Sequence, residues 1–231
     1  MKNILKRLTK PTVKNTPAMI PKLDLSQLVG TGELNVRLLE SSFDDGNVSL
    51  FELFIISVLV RLKKPHTIFE IGTFNGRTTL NLAANSAPAA EIFTLDLPVK
   101  DLLNTGFALD EIEKKYVDKP ASGARFSNYP EAKKITQLYG DSANFDFSRF
   151  ENAMDFVFVD ASHAYDYVLN DSKVALKMLR GGKGVILWHD YDRSEWWPGV
   201  VKALDELHQS SAEFSKLIHF TGTSLVCLIK T

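Results

Sequence analysis

The chain has 231 residues, 45% hydrophobic and 24% charged, which suits one globular domain with a sizeable core and is too short for two full ones. Its 27 lysines and arginines against 28 acids leave a formal net charge of -1, so no strong field recruits a polyanion and nucleic acid is not an expected partner. The single cysteine, Cys227, excludes an internal disulfide and a cysteine-rich metal site, and makes a reducing, cytoplasmic setting the default expectation.

The basic opening, "MKNILKRLTKPTVKNTP", lacks the apolar centre of a secretory signal and reads as a solvated or loosely docked tail. After a lead containing Pro11, Pro17 and Pro21, helices are expected from about Leu23 to Leu39 and from Val48 to Lys63. The most apolar run, Val48 to Leu62, contains Glu52 and falls short of the ~20 residues that span a bilayer, so no stable membrane association is expected. That helix either covers a sheet or forms a contact in a homodimer. Residues 1–64 then make a tail and helical extension ahead of an α/β domain at 65–231.

From Pro65 strands and helices alternate. "HTIFEIG" reads as a strand closed by glycine, "RTTLNLAANS" as a helix, and "EIFTLDL" as a second strand with Asp96 at its end. Residues 98–134 are mostly polar, with one helical piece, "LDEIEKKYV"; a connection this long is a lid, a specificity loop or a plain surface insertion. "KITQLYGDS" and "DFVFVDASH" are the next strands, "DYVLNDSKVALKMLR" a helix, "GGKGVILWHDY" a strand and "PGVVKALDELHQS" a helix. Two last strands, "SKLIHF" and "SLVCLIK", flank Thr221-Gly222-Thr223 closely enough to pair as an antiparallel hairpin, whereas crossovers make the earlier pairs parallel. The expected fold is α/β: a Rossmann-like seven-stranded sheet, helices on both faces, the last strand antiparallel.

In such a sheet ligands sit at the carboxyl ends of the strands, and the first strand-to-helix turn is the usual site. Gly72 and Gly76 let the backbone approach a ligand, and the helix opening at Arg77 aims amide groups at the same spot. A dinucleotide loop would carry G-x-G-x-x-G, but Phe74 and Arg77 stand where its second and third glycines belong, which disfavours an NAD(P)-dependent oxidoreductase. Glu70 would repel a diphosphate and suits a cationic ligand. S-adenosylmethionine, with a sulfonium, an ammonium and no phosphate, is such a ligand; the plain alternative is a tight strand-to-helix turn.

In order along the chain, "EIGTFNG", "TLDL", "YGDS", "DFVFVDASH" and "LRGGKGVILWHD" resemble the class I S-adenosylmethionine-dependent methyltransferases. The likeness runs from Pro65 to Thr231 and is strongest to the small-molecule O-methyltransferases of the catechol and caffeoyl-CoA type, the cation-dependent group. It implies that Gly72 and Gly76 shape the loop under the cofactor and that Glu70, with backbone groups of Thr73, Phe74 and Asn75, holds the methionine end. It further implies that Asp96 accepts hydrogen bonds from both ribose hydroxyls, that Asp141 and Ser142 meet the adenine edge, and that Asp160 borders the cofactor. Capping or turn roles are the alternatives for Asp96 and Asp141.

Methyl transfer to a hydroxyl requires in-line alignment and removal of a proton. Asp160 ends the fourth strand and His163 follows three positions later; the unperturbed pKa of histidine, about 6.5, makes His163 a candidate general base. In the cation-dependent relatives a lysine takes that place, and the residues after the fifth strand bind magnesium or calcium through oxygen. Here His189 and Asp190 fill those positions. With Asp160 they would hold Mn²⁺, Fe²⁺ or Zn²⁺ in preference to Mg²⁺ or Ca²⁺, or else line the acceptor pocket by hydrogen bonding. Tyr191, Trp196 and Trp197 either wall an aromatic or glycosidic acceptor or pack internally. The expected activity is methyl transfer from S-adenosylmethionine to an oxygen of a small molecule, with a non-catalytic methyltransferase-like binding module as the alternative.

Overall fold

Short runs rich in Ile, Val and Phe form β2 (Thr67–Ile71), β3 (Glu91–Asp96), β4 (Ile135–Tyr139), β5 (Phe156–Val159) and β6 (Gly184–Trp188), each parallel to its neighbours in this group. The computed structural model describes residues 20–191 and 196–231, so the expected tail at 1–17 lies outside the described residues. A hairpin of β7 (Ile218–Phe220) and β8 (Val226–Lys230) completes the sheet, with β8 antiparallel to both β7 and β6 as expected. One strand more is present than the seven expected: β1 (Lys22–Leu23) pairs parallel with β7, giving the order β1-β7-β8-β6-β5-β2-β3-β4.

Side chains alternate across the sheet and divide the core into two layers. Phe156 and Phe158 of β5 join one apolar cluster with α1 (Leu50–Lys63) and α2 (Arg77–Asn85). Val157 and Val159 join the other, with α4 (Tyr165–Met178) and α5 (Pro198–Ser210). Ser49 and Glu52 cap the start of α1 reciprocally, and Lys64, at φ 50, ends it in a left-handed turn. Leu53, Ile55, Ile56, Leu59 and Val60 are all buried within the first cluster, so this helix covers the sheet. Truncating one of these leucines to alanine would cost about 2–5 kcal/mol. Among the described residues no helix is long and apolar enough to cross a membrane.

The helix expected from Leu23 to Leu39 is not formed. A single 3-10 turn, Leu25–Gln27, is followed by irregular chain. Gly30 and Gly32 weaken any helix there, and α2 offers the backbone better partners. The Asn81 side chain accepts from Leu39 N at 2.8 Å and donates to Leu39 O at 3.0 Å; Asn85 treats Arg37 in the same way at 2.9 and 2.8 Å. These four bonds satisfy peptide groups that a helix would have paired internally. The helical piece expected at 109–117 is likewise shorter, being confined to α3 (Lys114–Val117).

From β2 the chain steps outward to β3 and β4, then returns to lay β5 on the other side of β2. The strand order therefore reverses between β2 and β5, where a crevice opens at the carboxyl ends. Gly72 stands at that point with φ +103, and a Cβ there would lie 2.0 Å from the carbonyl oxygen of Asp160. Replacing Gly72 by alanine should therefore lower stability by roughly 2–4 kcal/mol, from left-handed strain and the backbone clash together. Urea unfolding measures this; an unchanged midpoint would show that the approach is not a constraint.

Candidate active site

A cavity of ≈ 410 Å³ lies over the carboxyl ends of the parallel strands, bordered by Gly72, Asp96, Ser142, Asp160 and His189. The glycine loop forms one wall. Phe74 takes φ 50 and presents its ring to the cavity, while Gly76, at φ 86, caps α2. Thr73 turns inward, its hydroxyl 2.7 Å from that of Thr94, and the Asn75 side chain accepts from Arg77 N at 3.1 Å.

Glu70 departs from the expected role. Its side chain is wholly buried and does not line the cavity. Alternation along β2 is the reason: Phe69 and Ile71 point to the α4/α5 layer, so Glu70 points beneath α2, where Oε2 accepts from Thr94 at 2.6 Å and from Thr79. Burial pushes this carboxyl up to about 8, the two threonine bonds pull against the shift, and the charges of Asp160 and Asp96 add to it. At neutral pH Glu70 is mainly a neutral acid that supports the loop from below.

Asp96 ends β3 at the cavity edge as expected, and it is engaged by residues from 98–134. Lys119 Nζ lies 2.7 Å from Oδ2, with both side chains only 11% exposed, and Ser122 donates to the same oxygen. Asp141 lines the cavity beside Ser142, and its carboxylate takes the turn role given as the alternative. Its carboxylate accepts from Ala143 N at 3.0 Å, Tyr167 Oη at 2.8 Å, Gly106 N at 2.6 Å and Asn144 Nδ2 at 3.2 Å. Four donors fill its acceptor sites, so the carboxylate organises a turn and Ser142 is left beside it on the cavity wall.

Deeper in, carboxylates and imidazoles alternate. His189 Nε2 lies 3.3 Å from Glu52 Oε2, and its Nδ1 lies 3.2 Å from Asp160 Oδ1 and 3.0 Å from Asp190 Oδ2. His163 Nε2 is 2.8 Å from Asp190 Oδ2 and its Nδ1 is 2.8 Å from Glu113 Oε1. Burial works against charge on His163, but the bonds to Asp190 and Glu113 outweigh it and push the imidazole up to about 9. His189 is likewise raised despite burial, chiefly by the charges of Asp190 and Asp160. Burial would raise Glu52 and Asp190, yet their histidine partners hold both well below the usual carboxylate range. The geometry does not favour His163 as a general base: a carboxylate on each nitrogen draws the ring towards the protonated form, which has no lone pair to receive a proton.

Of the expected aromatic wall, Trp197 stacks on His163 at 3.9 Å between ring centroids and 17° between planes, and Trp196 stands 65% exposed at the cavity mouth. Tyr191 does not take part. It is buried, its hydroxyl donates to Asp205 at 2.6 Å, and it does not line the cavity. Sequence reasoning missed Glu52, Glu113 and Lys119. Glu52 read only as a charge interrupting an apolar helix, and the other two sit in a polar stretch without a motif.

Segment 98–134 is a strap laid over the sheet edge. Gly106 binds Asp141, Glu113 binds Ser162 and His163, and Lys119 and Ser122 bind Asp96. Gly123 and Arg125 then donate main-chain bonds to the carbonyls of Phe74 and Asn75, at 3.0 and 2.9 Å.

Comparison with known proteins places this geometry among relatives. The sequence model of a family described as "Methyltransferase domain" matches residues 69–191, more than half of the chain. The O-methyltransferase TomG from Streptomyces achromogenes, involved in tomaymycin synthesis and solved in complex with SAM, is similar with a TM-score of 0.57 and 18% identity, over 84% of this chain and 93% of that one. The SAH-bound methyltransferase PaMTH1 of Podospora anserina gives 0.58 and 20%, over 81% of each chain. An O-methyltransferase from Bacillus cereus in complex with SAH gives 0.54 and 18%, over 81% and 84%. At these identities the structural likeness is one of fold. No curated protein sequence matches the chain.

The buried acid under the loop makes a pH-dependent prediction. Glu70 binds its proton more tightly folded, at about 8, than at the ordinary value of 4.5, so stability is full below 4.5 and is lost as pH rises towards 8. Glu70→Gln, which carries no such proton, should flatten this decline. Urea midpoints across that range measure it, and parallel curves for the two proteins would refute the assignment.

Proposed function

The chain belongs to the methyltransferase family whose signature it carries over residues 69–191, and on that premise we propose that it transfers the methyl group of S-adenosylmethionine to an oxygen of a small-molecule acceptor. The observation that carries this reading is the lining of the cavity at the β2/β5 reversal: Asp96, Asp160 and Asp190 border it beside a glycine loop that lacks two dinucleotide glycines. A loop without those glycines does not cradle a diphosphate, and Asp96 at the end of β3 suits the ribose diol of a phosphate-free nucleoside. The volume, ≈ 410 Å³, falls in the range of small-molecule sites.

When bound, the cofactor supplies a methyl group made electrophilic by the adjacent sulfonium. Asp96 would receive the ribose hydroxyls, Ser142 would border the adenine, and Asp160 would face the cationic end. His163 and His189, held protonated by flanking carboxylates, place positive charge beside the acceptor space and favour an acceptor oxygen that is losing its proton. Asp160, 16% exposed at the cavity, is the carboxylate we assign to accept that proton. The stacked Trp197 and the exposed Trp196 would wall the acceptor and exclude water from it.

A second reading adds a divalent ion. One donor atom each from Asp160, His189 and Asp190 lie within 4.8 Å of one another, and Glu52 stands at the far nitrogen of His189, as a carboxylate does behind many metal-bound histidines. These residues would hold a nitrogen-tolerant ion such as Mn²⁺ or Zn²⁺, which would lower the pKa of the acceptor hydroxyl.

Isothermal calorimetry with S-adenosylhomocysteine should show binding, and Asp96→Ala should weaken it at least about tenfold, the loss expected for a charge-assisted bond. No heat at millimolar ligand would reject the cofactor assignment. In the same assay without cofactor, Mn²⁺ should bind more tightly than Mg²⁺ and the difference should vanish in His189→Ala; equal affinities would reject the metal reading.

A further inference from the structure

Asp96 is the residue through which the proposed cofactor would be held at its ribose, and its outer oxygen already has donors from the chain itself. Lys119 Nζ lies 2.7 Å from Asp96 Oδ2, both side chains being 11% exposed, and Ser122 Oγ donates to the same atom. Phe74 N approaches Oδ1 at only 3.4 Å, a long contact that leaves that oxygen weakly used. An ammonium and a hydroxyl on one carboxylate present the kind of donor set that a ribose diol would bring.

Lys119 is delivered there by the strap. Its Nζ also donates to Tyr116 O at 3.0 Å, and it lies 5.9 Å over the ring of Phe74, so it is oriented from three sides. Fixed points bracket it: Glu113 is bound to His163, and Gly123 to the carbonyl of Phe74 at 3.0 Å. Between these points the main-chain bonds of the described residues are internal to the strap, as in Asp118 N to Lys114 O and Lys119 N to Val117 O, at 3.0 and 2.9 Å. Lys115 pairs with Asp45 at 2.8 Å and the Tyr116 ring packs on that of Phe74, so Lys119 leaves Asp96 by rotation of its own side chain, with these ties and both anchors kept. Once released, a lysine head reaches water through the mouth of the cavity while its stem stays packed.

We propose that Lys119, assisted by Ser122, competes with the cofactor ribose for Asp96, so that this one lysine of the strap sets the affinity for S-adenosylmethionine and for the product S-adenosylhomocysteine. The inference rests on the cofactor reading above. Competition of this kind divides the intrinsic affinity by the fraction of chains in which the carboxylate is open. Its physiological effect is to keep product from being retained, since both nucleosides carry the same ribose and both must displace the same lysine.

The test is calorimetric titration of the full chain with S-adenosylhomocysteine, in wild type and in Lys119→Ala, Lys119→Met and Lys119→Arg. Lys119→Met keeps the apolar stem and guards against loss of packing, whereas Lys119→Arg keeps a cation that can pair with Asp96. Competition predicts that the alanine and methionine variants bind about five- to tenfold more tightly and that the arginine variant stays near wild type. It also predicts that added salt, by weakening the ion pair, narrows the gap between wild type and Lys119→Met. Equal or weaker binding by both neutral variants, with wild type binding normally, would overturn the inference and leave the cofactor reading standing. Binding by the neutral variants alone would support it in its strongest form. Absence of binding by every protein would overturn the cofactor reading, and the inference with it.

Discussion

The ends of β2 and β5 come so close that no side chain fits between them, and much of the site is arranged around that contact. With the Asp160 carbonyl 2.0 Å from where a Cβ of residue 72 would stand, only glycine can follow β2 there. The tight approach sets the Asp160 side chain at the cavity edge and sends the following residues up and over, through left-handed Phe74 and Gly76, into α2. Along α2, Asn81 and Asn85 hold residues 37–39, and Arg77 holds the next stretch by donating to the carbonyls of Glu40 and Val48 at 2.6 and 2.7 Å. Phe43 and Asp45, on that stretch, border the cavity mouth. A packing constraint between two strands is thereby transmitted to a loop thirty residues earlier in the chain.

The second organising problem is electrostatic. Glu52, Glu113, Asp190 and His189 are almost fully buried, and an isolated charge in such a place costs several kcal/mol. Alternation of acids with imidazoles solves this locally, since each histidine has a carboxylate at either nitrogen. The arrangement draws on four parts of the molecule: α1, the strap, and the ends of β5 and β6. It also explains why a helix as apolar as α1 carries Glu52, which caps its own first turn, accepts from Ser224 N at 2.8 Å and faces His189.

Much of the fold was legible because the signals are local. Runs such as "FVFV" between polar turns identify central parallel strands, and "PGVVKALDELHQS" coincides with α5. Acids at strand ends, Asp96, Asp160 and Asp190, were legible as candidates because strand ends converge on one edge of a parallel sheet. The errors share a cause. Leu23 to Leu39 read as helix while its real hydrogen-bond partners, Asn81 and Asn85, lay more than forty positions away. Glu70 read as a ligand because it precedes the loop, although strand alternation aims it beneath α2. Tyr191 follows two site residues in sequence but turns to Asp205, as one residue of backbone direction suffices to take a side chain from cavity to core.

By itself the sequence determined the succession of strands and helices, the kind of turn after β2, and which acidic and imidazole side chains stand at the sheet's carboxyl edge. All of these depend on residue spacing and on backbone freedom at single positions. Only the tertiary structure decided what those side chains meet. Glu52 reaches His189 across 137 positions and Glu113 reaches His163 across 50, and Glu113 together with Asp190 draws His163, the expected base, towards its protonated form. Periodicity reports which face of an element is buried; it carries no information about which distant charge will be packed against that face, and for ionisable groups the partner sets the protonation state.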